Sequence, residues 1–166
     1  IPIIGIQTGN GISFKKSVSP QSYVDFLIRI FNLWLEQDNP DLKILPLESI
    51  MLAFLGLFQE DCRFTGECEK SIVVDLGDIF PCCTYGYRGF FTLGNISEGI
   101  ETIISSENFK NFKSHLQTIQ DNCSSCRWYQ VCKGGCPFHH YLGKGQNIFC
   151  KDFQRLFTHI QKTKRN

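Results

Sequence analysis

No stretch of this chain approaches the roughly 20 consecutive apolar residues that a membrane helix requires, so no membrane role is expected. Net charge is nearly absent as well. Seventeen Lys and Arg against 16 Asp and Glu leave +1, which removes the electrostatic case for nucleic acid. The basic residues Lys162, Lys164 and Arg165 read as a solvated tail. An export signal is lacking too. The chain opens Ile1-Pro2-Ile3-Ile4 without a charged leader or a cleavage-site pattern, and a cytoplasmic location is the expectation. There is no initiator Met, which points to a piece of a longer or processed protein. The first sixty residues hold no cysteine.

What is present fits a globular chain with an apolar core: 42% hydrophobic residues and 15 Phe. At this length a folded chain buries about 70% of its surface. The nine cysteines, all at or after Cys62, are too sparse for a small disulfide scaffold and odd in number. With no export signal, that shifts the expectation from disulfides towards metal.

The cysteine-free front, residues 1–58, reads as strand, loop, helix, strand, helix, with a boundary near Gln59. Ile1 to Gln7 is apolar and β-branched, as a buried strand is. Thr8 to Lys16 is glycine-rich loop, in which Gly9-Asn10-Gly11 is too short to claim a phosphate site. Ser19-Pro20 starts a helix, because Ser caps and Pro suits the first turn. Tyr23, Phe26, Leu27, Ile30, Phe31, Trp34 and Leu35 form its apolar stripe, and Asn39-Pro40 ends it. Ile44 to Leu47 reads as a short strand and Ser49 to Phe58 as a second helix. Such alternation suggests βα units, either the end of a larger α/β domain or a small free-standing cap. The fold class is α+β, because residues 59–166 are irregular. Leu76-Gly77-Asp78 turns a hairpin between Ser71 to Asp75 and Ile79 to Cys82. Two short helices, Ile96 to Ser105 and Asn108 to Gln117, follow it. After the cysteine loops, Phe153, Leu156, Phe157 and Ile160 mark a closing helix.

The cysteine spacings carry the chemistry. The series runs Cys62-x5-Cys68, Pro81-Cys82-Cys83, Cys123-x2-Cys126-x5-Cys132-x3-Cys136 and Cys150. A C-x2-C loop converges two thiolates on one metal, and a cubane cluster needs four at its corners, so eight ligands make two sites. Zinc uses the same loop, and spacing alone leaves iron–sulfur, zinc and disulfide readings open. Gly134-Gly135 before Cys136, and Gly66 between Cys62 and Cys68, permit close backbone approach and amides turned towards sulfur.

Taken whole, the series resembles the SPASM auxiliary-cluster domain of radical SAM peptide-modifying enzymes, a family that includes anaerobic sulfatase-maturating enzymes and cyclophane- or thioether-forming ribosomal-peptide maturases. Gly77-Asp78-Ile79-Phe80-Pro81-Cys82 and Leu93-Gly94-Asn95-Ile96 complete the match, and the front resembles the last βα units of the family's partial barrel. The resemblance implies two 4Fe-4S clusters. Cys62, Cys68, Cys82 and Cys136 would hold the first, and Cys123, Cys126, Cys132 and Cys150 the second. It implies a peptide or protein substrate that is oxidatively modified or crosslinked, with no nucleic acid or membrane partner. S-adenosylmethionine and a third 4Fe-4S cluster would belong to the intact parent. Two features depart from the family. The C-x3-C-x2-C loop for the S-adenosylmethionine cluster is absent, so this chain alone is not expected to be active, and a preceding barrel or a separate subunit must supply that part. Cys83 also stands where sulfatase-maturating relatives carry an acid that serves as base, and a thiol with an ordinary pKa of about 8.5 is a poorer base. That favours a crosslinking maturase, with Cys83 itself a packing residue. The readings from other classes are a zinc-stabilised interaction module and a separate iron–sulfur electron-transfer subunit.

Other side chains receive ordinary readings. His139 and His140 are surface or packing histidines. Trp128 and Tyr129 shield a cluster. Asp75 and Asp78 serve the hairpin turn, and Lys70, Arg127 and Lys133 are surface charge.

Overall fold

The structure is a computed structural model that describes residues 6–8, 11–13, 17–86 and 91–163. The expected strand residues 1–5, the loop residues Gly9 and Asn10, and the basic residues Lys164 and Arg165 lie outside the described residues.

The chain begins with β1 (Ile6–Thr8) and β2 (Gly11–Ser13), an antiparallel pair in which Gln7 faces Ile12. This hairpin takes in residues that the sequence assigns to a loop. Helix α1 (Pro20–Gln37) starts as expected: the Ser19 side chain accepts the Ser22 N–H at 3.0 Å, and Pro20 opens the first turn. It ends at Asp38, whose left-handed backbone (φ 43°) returns its N–H to Leu35. Its buried face is Val24, Leu27 and Phe31. Phe26, placed in the apolar stripe by the sequence, is 56% exposed. It lies two residues from Val24, about 200° round the helix.

The expected strand at Ile44 to Leu47 is instead the start of α2 (Leu45–Phe54), with Ile44 the extended residue before it. Pro46 explains the difference, since in the first helical turn its missing N–H has no intrahelical partner to lose. Four apolar residues in a row carry no period that tells strand from helix. Helix α3 (Cys62–Thr65) and a 3₁₀ turn (Cys68–Lys70) follow.

The hairpin appears where expected. Strands β3 (Val73–Asp75) and β4 (Asp78–Phe80) pair antiparallel about Leu76-Gly77, both at positive φ. After α4 (Cys83–Gly86), β5 (Gly94–Asn95) adds to the other edge of β4. Asn95 and Glu98 form a reciprocal cap that leads into α5 (Ile100–Ser105). The next helix, α6 (Glu107–Cys123), runs beyond the expected Gln117 and carries Cys123 in its last turn. Short helices α7 (Tyr129–Cys132) and α8 (Pro137–Leu142) interrupt the cysteine loops, and α9 (Cys150–Thr163) closes the chain.

Two apolar cores sit either side of the cysteine loops. The first joins Val24, Leu27 and Phe31 of α1 and Leu47 and Ile50 of α2 to Phe64, Trp128, Phe149 and the α9 face. That face is Phe153, Leu156, Phe157 and Ile160, the stripe read from the sequence. This core therefore crosses the boundary expected near Gln59. Gln59 itself is buried and donates to the Val131 carbonyl at 2.9 Å. The second core gathers Ile79 and Phe80 of β4, Tyr85, Leu93, Ile103, Phe112 and Phe138. Among the described residues no helix is long and apolar enough to cross a membrane.

Candidate metal centres

All nine cysteines are free thiols. Each expected ligand sits at the end of a secondary-structure element or in the turn beside one. Such positions let a side chain leave the backbone without breaking a hydrogen-bonded ladder.

Cys62 opens α3 behind Asp61, whose carboxylate caps the helix by accepting the Arg63 N–H at 3.0 Å. Asp61 is anchored in turn. Its N–H donates to Ser49 Oγ of α2 at 2.9 Å, and Arg63 pairs with its carboxylate while donating to the Tyr23 hydroxyl of α1 at 3.2 Å. Both front helices thereby hold the turn that presents Cys62. Cys68 opens the 3₁₀ turn, Cys82 follows β4, and Cys136 precedes α8. These four thiols lie within electrostatic reach of one another. Burial pushes Cys68 up to about 12, and Cys136, Cys62 and Cys82 add to it. Burial likewise raises Cys136 to about 12 with help from Cys82 and Cys62, and the neighbouring His139 and Phe138 amides oppose the rise; the His139 N–H itself bonds the Cys136 carbonyl at 3.0 Å. Cys62 is raised by burial, then by Asp61 and Cys82, and more weakly by Cys83. Cys83, the ninth cysteine, is not the buried filler expected but is exposed at the start of α4, close enough to Cys62 to add to its rise.

The other four thiols meet elsewhere. Cys123, Cys126, Cys132 and Cys150 together line a cavity of about 930 Å³ with Trp128, Phe153 and Phe157 on its apolar side. Cys132 is raised to about 11 by burial, against which the Gly134 N–H donates to its sulfur; Cys126, Cys123 and Cys150 raise it further. Cys123 is raised by burial, Cys150 and Cys126. Lys133, Gly134 and Gly135 have φ of 48°, 88° and 79°, and this left-handed run turns the chain between the two groups. A Cβ on Gly134 would stand 2.7 Å from Ile119 Cγ2 and 3.9 Å from the Cys123 sulfur, so only glycine fits there. Gly66 has a positive φ (73°) and the close approach expected of it: its missing Cβ admits Lys133, whose own Cβ would lie 2.9 Å away.

The residues suit a polynuclear group. Partly buried thiols that raise one another's pKa resist ionisation unless a cationic centre stands among them, and a bound metal deprotonates its thiols outright. Among the described residues, no three His, Cys, Asp or Glu are placed to hold a single metal ion. Four thiolates apiece match the one thiolate per iron of a cubane.

The remaining residues fall largely as the sequence indicates. His139 is a packing histidine against Phe149 (ring centroids 4.7 Å apart), lowered to about 3 chiefly by burial. Trp128 lines the second cavity beneath Arg127, which lies 4.5 Å over its ring. Tyr129 instead lines a separate cleft with Cys68 and Lys113. Lys70 pairs with Glu67, and Lys133 donates to Gln130. Asp78 accepts from Asn95 at 3.0 Å, as a turn residue does. Sequence reasoning missed the Asp61–Arg63–Tyr23 anchor; His140 is buried, as a packing histidine is, but no sequence signal indicated that its nitrogens face the Gly134 and Gly145 carbonyls at 2.8 and 3.2 Å. Ser49 lies 12 residues before Asp61 in the sequence, and no short-range signal marks their contact.

Comparison with known proteins agrees with this chemistry. The family model of SPASM, an iron–sulfur cluster-binding domain, matches residues 62–127. The cysteine-type anaerobic sulfatase-maturating enzyme of Clostridium novyi is 27% identical over 166 residues, covering 91% of this chain and 44% of the relative. The serine-type enzyme of Bacteroides thetaiotaomicron is 27% identical over 152 residues, covering 87% of this chain and 36% of the relative. A solved structure described as native anSMEcpe with bound AdoMet and Cp18Cys peptide superposes with a TM-score of 0.71 at 22% identity, covering 96% of this chain and 46% of the other. The chain thus spans less than half the length of these relatives. The resemblance to radical SAM/SPASM peptide maturases is borne out, with this chain matching their C-terminal part.

Proposed function

We propose that this chain holds two auxiliary 4Fe-4S clusters and serves as the C-terminal part of a radical SAM enzyme that oxidatively modifies a peptide or protein. The observation that carries the reading is the sorting of eight thiols into two mutually interacting groups, one lining a cavity of about 930 Å³. Cys62, Cys68, Cys82 and Cys136 would hold the first cluster, and Cys123, Cys126, Cys132 and Cys150 the second. When bound, the clusters supply a one-electron acceptor close to a substrate that has lost a hydrogen atom. The protein's own part is to hold and shield. Amides of Gly134 and of the Phe138–His139 turn lie beside ligand sulfurs and favour their ionised form, and Trp128, Phe153 and Phe157 give the second group an apolar wall. With four cysteines apiece, neither cluster keeps an iron free for substrate. Residues 1–58 would be the last units of the parent's partial barrel and residues 59–166 the cluster domain, with the S-adenosylmethionine chemistry upstream or on a separate subunit.

Relatives named as sulfatase-maturating enzymes favour a second reading of the chemistry, oxidation of a Cys or Ser in a sulfatase. The exposed thiol of Cys83, beside the first group, favours crosslinking instead. Incubating the whole enzyme with a sulfatase peptide and with the peptide encoded beside its gene, followed by mass spectrometry, separates the two readings. The cluster assignment itself is tested by iron, sulfide and zinc analysis after anaerobic purification. About eight irons and eight sulfides per chain are expected. About two zincs without sulfide, persisting after reconstitution with iron, would overturn it in favour of a structural zinc module.

A further inference from the structure

Two of the four thiols in the second group sit beside separate loops. Cys132 ends α7 and is followed by the left-handed turn at Lys133 to Gly135, while Cys150 opens α9 after the loop from Gly143 to Phe149. Helix α8 (Pro137–Leu142) joins the two loops in the chain. His140, 4% exposed on α8, lies between them. Its Nε2 stands 2.8 Å from the Gly134 carbonyl, the shorter of the ring's two carbonyl contacts, so the one hydrogen of a neutral ring is best placed on Nε2, donating to Gly134. Its backbone carbonyl accepts the Gly145 N–H at 2.9 Å, and its Nδ1 faces the Gly145 carbonyl at 3.2 Å. Gly134, His140 and Gly145 all line the cavity shared by the four thiols.

We propose that His140 is a positioning residue for the second cluster, bracing the turn after Cys132 against the loop before Cys150 and so holding the Gly134 amide on the Cys132 sulfur. Gly134 is then held at both ends: its N–H donates to Cys132 and its carbonyl accepts from His140. Glycine has no side chain to restrain these peptide planes, and at φ 88° a neighbour must do so. An amide aimed at a ligand sulfur stabilises the more negative, reduced cluster, so it raises the reduction potential. His140 would therefore set potential without touching a ligand. The proposal rests on the reading that these four cysteines hold a cluster.

The test uses the intact chain, reconstituted anaerobically, with iron content and a redox titration followed by electron paramagnetic resonance. His140→Phe keeps the ring and removes both nitrogens. His140→Gln places an amide nitrogen near the Nε2 position and keeps the donor to Gly134. The second cluster's potential in H140F should shift negative while the first stays put, and H140Q should restore most of the shift. Should H140F fail to take up the second cluster, uptake by H140Q supports the brace and equal failure of H140Q overturns it. A fully loaded H140F with both potentials at their wild-type values also overturns it. Wild-type chain that takes up no iron or sulfide overturns the cluster reading beneath it, a result separate from any effect of the variants.

Discussion

Cys132 and Cys136, only a four-residue step apart, present their thiols to different groups. Cys132 shares a cavity with Cys123, Cys126 and Cys150, while Cys136 stands among Cys62, Cys68 and Cys82. The three residues between them all have positive φ, and that run carries the chain from one group to the other.

Exchanging either cysteine should therefore empty a different site. Cys132→Ser and Cys136→Ser are each expected to retain about four of eight irons. The surviving cluster should differ between them in its resonance spectrum and midpoint potential. Identical spectra from the two variants would show that both cysteines serve one site.

The metal-free chain should weaken in alkali. Cys68 and Cys136 are held up to about 12 and Cys132 to about 11, chiefly by burial. An unfolded thiol ionises near 8.5, so above that pH the unfolded chain binds fewer protons than the folded one. Stability is complete below about pH 8.5 and declines as pH rises towards 11 to 12, by at most about 2 kcal/mol per thiol at pH 10. Urea unfolding at pH 7.5, 9 and 10 measures the slope. The loaded chain holds thiolates, so it should lack this decline and lose iron as pH falls instead.

The Arg63–Asp61 pair should matter far more than the Arg155–Asp25 pair. Asp61 is 5% exposed, and removing Arg63 strands its charge, at a cost of about 3 kcal/mol. Arg155 and Asp25 lie at the surface, so Arg155→Ala should leave the unfolding midpoint unchanged. Because Asp61 caps the turn that presents Cys62, Arg63→Ala should also slow reconstitution of the first cluster.

Two glycine substitutions separate backbone strain from close approach. Gly56 has φ 71° with open space around its missing Cβ, so Gly56→Ala should cost only the left-handed penalty of about 1 kcal/mol. Gly134→Ala adds a clash with Ile119 at 2.7 Å and should cost more, with loss of iron from the second site. Equal midpoints for the two variants would remove the close-approach argument.

Local chemistry was legible in the chain itself. The Ser19-Pro20 start of α1, the Leu76-Gly77 hairpin and the Phe153 to Ile160 stripe depend on neighbours within one or two turns, which spacing records. The cysteine series announced a metal chemistry by the same logic, since ligand loops are short. What tertiary contact decided involves residues far apart in the chain. Leu45 to Leu47 became helical because Pro46 suits a first turn and Leu47 and Ile50 then join the core with α9 and Trp128. Phe26 was left exposed because only the direction of α9 determines which side of α1 is the inside. Gln59, placed at a boundary by composition, bonds to Val131, 72 residues away. The separation of Cys132 from Cys136 and the bridge from His140 to Gly134 likewise depend on how loops cross in space. Spacing along a chain carries no record of that, because a folded backbone can bring almost any two loops together and only packing selects which.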